Sequence, residues 1–124
     1  MAENLGEVME KKVADEKFGE VLESGLLDST EIESAIEQTE SILMFSIFEK
    51  KAIILGNKRK VIYPKSEIIP KEFRFMVYST DKVQELLNLG GEKFTLVEIR
   101  KKVITLSNGN FTLEFGLGCP PFCP

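Results

Sequence analysis

The chain contains no histidine and no tryptophan. Without histidine it lacks the commonest general base near neutral pH and the commonest metal ligand. This argues against an enzyme without excluding one. Only two cysteines are present, both near the C-terminal end. No apolar run reaches the roughly 18 uncharged residues of a membrane helix. The opening stretch MAENLGEVMEKK is acidic and carries no apolar signal-peptide core. An intracellular, cytoplasmic protein is therefore expected. Asn110-Phe111-Thr112 fits a glycosylation sequon, but without export that match is incidental. Glutamine is scarce beside abundant Lys and Glu, which hints at a thermophilic source.

What is present is enough for one core. A chain of 124 residues is about one domain and buries roughly two-thirds of its unfolded surface. The apolar share is 43%, near the globular average. Nine phenylalanines serve as the bulky core fillers.

The densest apolar stretch is Ser41–Tyr63, SILMFSIFEKKAIILGNKRKVIY. Leu43–Phe48 is apolar on both faces of any strand, as in a doubly covered sheet. Its β-branched and aromatic residues favour a strand. The spacing of Ile32, Ala35, Ile36, Thr39, Leu43 and Ile47 also permits a helix from Thr30 running into Met44. A strand ending at Phe48 needs a turn at Glu49-Lys50 with neither Gly nor Asn. Ala52–Leu55 and Lys60–Tyr63 read as a hairpin, closed by a turn centred on Asn57 and Lys58. That turn sets Leu55 opposite Lys60, Ile54 opposite Val61 and Ile53 opposite Ile62.

Upstream, Leu5, Val8, Met9, Val13, Phe18, Val21 and Leu22 have helical spacing, broken near Gly19 and capped by Gly25. Asp28 or Ser29 then caps a second helix, about Thr30–Gln38, with Glu31 completing a capping box. Downstream, Phe73–Tyr78 reads as a strand and Asp81–Leu89 as a short helix stopped by Gly90-Gly91. Phe94–Ile99 alternates as a half-buried strand. Asn108-Gly109 signals a hairpin with Leu106 opposite Phe111, Ile104 opposite Leu113 and Thr105 opposite Thr112. Ile104, Leu106, Phe111 and Leu113 then share one apolar face.

The order predicts an α+β domain over residues 1–116. Two N-terminal helices precede a mostly antiparallel sheet of about five to six strands, interrupted by one short helix. Residues 117–124 form a Gly/Pro/Cys tail. The architecture resembles profilin-like, roadblock-like and longin-like folds, by analogy of element order alone.

Charge is divided unevenly along the chain. Residues 1–49 carry 13 acids and 3 bases, residues 50–124 carry 7 acids and 13 bases. Lys50, Lys51, Lys58, Arg59, Lys60, Lys65, Lys71 and Arg74 concentrate the positive charge in residues 50–74. They are the candidate contacts for nucleic acid or another polyanion. The competing explanation is that solvated strand ends carry charge and the two halves attract each other. Cys119 and Cys123 are candidates for a disulfide or thiol switch. They supply only half of a tetrahedral metal site, so a metal would need a second chain. Glu33, Glu37 and Glu40 lie on one helix and read as a solvated face. No cofactor is expected.

These features point first to a non-catalytic interaction or regulatory module working through protein–protein contacts, self-association as a homodimer included. The first alternative is polyanion binding through residues 50–74. The second is a redox or metal role for the cysteine pair. No membrane partner is expected.

Overall fold

Alternating apolar residues, rather than helical repeats, dominate the fold. The structure is a computed structural model describing residues 5–65, 69–70 and 73–119. The chain opens with strand β1 (Glu7–Glu10), helix α1 (Lys11–Phe18), strand β2 (Glu23–Asp28) and helix α2 (Ser29–Glu37). Strands β3 (Ile42–Phe48), β4 (Lys51–Leu55) and β5 (Val61–Tyr63) follow, with a 3-10 turn at Asn57–Arg59. Next come β6 (Phe75–Ser79), helix α3 (Thr80–Gly90), β7 (Phe94–Ile99), β8 (Ile104–Asn108), β9 (Phe111–Glu114) and β10 (Leu117–Cys119). No helix among the described residues is long and apolar enough to cross a membrane.

The α+β class is right in outline, but the expected single sheet behind two N-terminal helices is not what forms. There are two five-stranded antiparallel sheets and three helices among the described residues. Sheet I has the order β1-β9-β8-β7-β2 and sheet II the order β10-β6-β3-β4-β5. The stretch expected to be the first helix supplies two strands around an eight-residue helix. Its helical spacing is overridden because β1 satisfies its backbone by pairing with β9, far along the chain. Gly25 is accordingly a strand residue opposite Val97, not a helix cap. Leu117–Cys119, at the start of the segment read as a tail, pairs with β6.

The topology is a duplication. Residues 23–63 run strand, helix, three-strand meander (β2, α2, β3, β4, β5), and residues 75–114 repeat that order (β6, α3, β7, β8, β9). Each unit gives its first strand to the other unit's meander: β2 pairs with β7, and β6 with β3. The sheets are thereby interlocked. β1 and β10 then extend one edge of each.

The main core lies where both sheets meet α2 and α3. It includes Leu43, Phe45, Ile54 and Tyr78 from sheet II, Val97, Leu106 and Leu113 from sheet I, and Ile32, Ala35, Val83 and Leu86 from the helices. Fully burying one such aliphatic side chain contributes about 1.5–3 kcal/mol. Sheet II is apolar on its other face too, where Ile42, Met44, Ile53, Leu55, Phe75 and Val77 form a second cluster. That double covering explains why β3 reads as apolar throughout.

Sheet I differs: its outer face under α1 is polar. Glu98 accepts from Lys11 at 2.6 Å, Ser107 at 2.6 Å and Thr105 at 2.9 Å, with Arg100 at 3.3 Å. Arg100, only 2% exposed, also reaches Asp15 at 2.9 Å and the carbonyl of Gly19. A buried cation with this many acceptors fastens α1 to the sheet, since removing any partner would strand a charge.

Turn chemistry sets the local details. Asp28 caps α2 by accepting from the Thr30 amide at 2.9 Å. α3 stops at Gly91 in the left-handed region. The β3–β4 turn places both Glu49 and Lys50 at positive φ. The β4–β5 hairpin is not closed by a two-residue turn, because Lys58 and Arg59 both adopt positive φ in a wider loop. Leu55 therefore faces Val61, and Ile54 faces Tyr63 after an irregularity in register. The β8–β9 turn is displaced as well: Asn108 pairs with Phe111 and Leu106 with Leu113. A shift by an even number of residues preserves the faces, so Ile104, Leu106 and Leu113 do share the core with Phe111 packed against it.

Candidate interaction site

The duplication creates two related junctions where one sheet meets the other. In the first, Gly25 of β2 meets Ala52 of β4. In the second, Met76 of β6 stands near Ile104 of β8. The registers match: Gly25 pairs with Val97 as Met76 pairs with Phe45, and Ala52 pairs with Ile47 as Ile104 pairs with Ile99. At the first junction the two small residues let the sheets touch. A Cβ on Gly25 would lie 3.0 Å from that of Ala52. At the second, the larger Met76 and Ile104 border an open groove.

That groove has a volume of about 470 Å3, within the range of about 300–1,000 Å3 for ligand sites. Its floor includes Ile47, Met76 and Ile104, each 7% exposed where neighbouring core residues are sealed. Phe73, Ile99 and Val103, all half-buried, form its apolar sides. Its rim holds the exposed cations Arg74, Lys101 and Lys102. None of the three is paired with an acid among the described residues. Arg100 belongs to the buried network behind, which anchors the loop carrying Lys101 and Lys102. The site thus joins an apolar floor, fixed by two sheets, to a positive rim with no counter-charge among the described residues.

The eight basic residues expected to act together do not gather in one place. Lys50 and Lys51 sit at the β3–β4 turn, beside a smaller hollow of about 250 Å3 lined by Leu26, Ala52, Tyr63 and Pro64. Lys58 and Lys60 sit beyond the other end of β4, beside a hollow of about 160 Å3 with Thr39 and Asn57. At a rise of about 3.4 Å per residue, β4 alone separates the two groups by roughly 14 Å. Arg59 turns inward. It donates to the carbonyls of Pro70 at 3.1 Å and Phe73 at 3.3 Å and to Cys119 Sγ at 3.2 Å, with its guanidinium 5.2 Å from the Phe75 ring. Lys65 is exposed next to β5. Among the described residues of the eight, only Arg74 reaches the groove. Lys71 lies outside the described residues.

Cys119 is fully buried in the second cluster and disulfide-bonded. Cys123 lies outside the described residues. No group of three or more potential metal ligands occurs among the described residues.

Nothing in local pattern alone marks Lys101, Lys102, Val103 or Met76 as site residues. The available signal was the basic run Arg100-Lys101-Lys102 at the end of an apolar strand. It separates into one buried and two exposed cations only when the Glu98 and Asp15 partners of Arg100 are known. Set against protein-family models, curated proteins and solved structures, the chain finds no match.

Proposed function

We propose that this chain is a non-catalytic interaction module of the cytoplasm that contacts a partner protein through the groove between β6 and the β7–β8 loop. The observation that carries the reading is the incompletely covered floor of Ile47, Met76 and Ile104 beneath cations that lack an acid partner among the described residues. Apolar surface inside a concave site, ringed by charge, is the usual anatomy of a contact patch. The floor belongs to two interlocked sheets, so it presents a preformed surface and little ordering cost on binding.

The polyanion reading through residues 50–74 has weaker support. Its cations are split between opposite ends of β4, and Arg59 is committed internally. Lysines beside the edge strand β5 also have a simpler use, since charge at a free edge discourages aggregation.

A photo-crosslinking amino acid at position 103, compared with one at position 33 on the exposed side of α2, tests the proposal in extract of the native source. The expected result is a discrete protein adduct from position 103 and none from position 33. Adducts from neither position, together with salt-sensitive oligonucleotide binding, would transfer the function to the polyanion reading.

A further inference from the structure

The groove also specifies the chemistry of what it takes. We infer that its occupant is an acidic segment of a different protein, carrying a bulky aliphatic or aromatic side chain between carboxylates. This rests on the reading of the groove as a protein-contact site and goes further, naming the class of segment.

The argument starts from charge. The whole chain has a net charge of −4, and the half containing most of its acids is residues 1–49. Yet among the described residues the groove rim carries only positive charge. Arg74 comes from just before β6, Lys101 and Lys102 from the β7–β8 loop. Glu98, the acid nearest Lys101 and Lys102 in sequence, is already used: it binds Lys11, Arg100, Thr105 and Ser107 on the far face of sheet I, and Glu72, two residues before Arg74, lies outside the described residues. Three cations at one rim, without counter-charges among the described residues, repel each other, and an incoming carboxylate relieves that repulsion. Arg74 adds a planar fork suited to a bidentate carboxylate contact.

The floor adds the second half of the specification. Ile47, Met76, Ile99, Val103 and Ile104 offer no polar side-chain atom, so a purely ionic ligand would leave them wet. Met76 is unbranched and adapts to differently shaped side chains. A peptide that places one bulky apolar residue on this floor and acids on either side satisfies both. A free fatty acid fits less well. The groove is open to solvent rather than enclosed, so much of a hydrocarbon chain would stay in water, losing the area term that drives such binding. A bare polyanion has nothing to place on the floor.

An unbiased selection tests this. Random heptapeptides displayed on phage are panned on the full chain, with the Lys101→Glu/Lys102→Glu variant as counter-selection. Both lysines are exposed, so the variant is expected to fold, and circular dichroism verifies it. The expected result is enrichment of sequences with at least two Asp or Glu around a Leu, Ile, Met or Phe. Synthetic versions should lose about tenfold or more in affinity, about 1.4 kcal/mol, on the variant. Changing their apolar residue to Ser should cost a similar factor. Enrichment of basic or uncharged sequences overturns the inference, as does equal binding to wild type and variant. Binding of laurate that displaces the selected peptides also overturns it. So does concentration-dependent self-association abolished by the same variant, which would make a second copy the occupant. A protein adduct from position 103 with no acidic peptide selected leaves the contact-site reading standing and removes only the acidic chemistry. Failure of both removes both.

Discussion

A Cβ placed on Gly25 would stand 3.0 Å from the Cβ of Ala52 and 3.2 Å from the Ala52 backbone nitrogen. The two residues belong to different sheets, so this contact is the closed counterpart of the open groove at Met76 and Ile104. Gly25 lies in a strand interior, where Val is intrinsically preferred. Gly25→Val should nevertheless destabilise the protein by about 1–3 kcal/mol, because the inserted atoms press on backbone that cannot yield. Urea denaturation measures this, and a more stable variant would show that the junction is looser than described.

The two units use asparagine in two different ways. Asn57 Oδ1 accepts from Thr39 Oγ1 at 2.9 Å and from the Ser41 amide at 3.1 Å. Asn108 Nδ2 donates to Thr95 Oγ1 at 2.9 Å and to the carbonyls of Glu92 and Phe94, while its Oδ1 accepts from the Glu92 amide. Replacement by Ala should cost about 1–3 kcal/mol at either position. Replacement by Asp separates them. Asn57→Asp keeps every acceptor and should be nearly neutral, whereas Asn108→Asp sets a carboxylate against two carbonyls and should cost at least as much as Ala. Equal losses in thermal melts of the two Asp variants would contradict these roles.

Glu49 and Lys50 form a two-residue hairpin turn with φ values of 49° and 67°. Non-glycine side chains crowd the backbone there, and Asn-Gly is the preferred pair. Glu49→Asn/Lys50→Gly should raise stability by about 0.5–1 kcal/mol. Both side chains are exposed, so no packing is lost. An unchanged urea midpoint would mean that the turn carries no strain.

Glu114 is buried in β9, and neither carboxylate oxygen has a hydrogen-bond partner among the described residues. Burial pushes its pKa from 4.5 up to about 7, with Glu7 adding to the rise and Arg100 and Lys17 opposing it. Between about pH 4.5 and 7 the folded state therefore holds a proton that the unfolded chain has released. The stability this proton contributes is complete below about pH 4.5 and is lost as pH rises through about 7. At one pKa unit per 1.36 kcal/mol the loss is roughly 3 kcal/mol at most. Glu114→Gln removes the charge at every pH. The variant should exceed wild type at pH 8 and match it near pH 4 in parallel urea titrations. A stability difference independent of pH would place the carboxylate in water.

Local pattern was a sound guide wherever one element's own residues settle the matter. Asp28 ahead of an apolar-periodic run marks α2, and Gly91 stops α3 as the paired glycines indicate. The β-branched and aromatic run Ile42–Phe48 is a strand for the reason visible in its composition. The apolar face of Ile104, Leu106, Phe111 and Leu113 survives even though the turn slips, because a strand's period of two is insensitive to an even shift. Of the N-terminal stretch with helical spacing, Lys11–Phe18 is helix, but Val8 and Met9 are not, because they gain their strand partners from β9, more than a hundred residues away.

The sequence by itself determined which residues are apolar, where most strands begin and end, and which faces they bury. Only the tertiary structure decided the rest. It set the exchange of β2 and β6 between two units, which depends on backbone pairing that no local pattern encodes. It turned Arg100 inward and left Lys101 and Lys102 out, because the acids that claim the guanidinium come from β7 and α1. It also opened one junction and closed the other. Gly25 and Ala52 are unremarkable in the sequence, as are Met76 and Ile104. Their volumes acquire meaning only when interlocked sheets set each pair face to face, so that small side chains let the backbones touch and large ones hold a groove open.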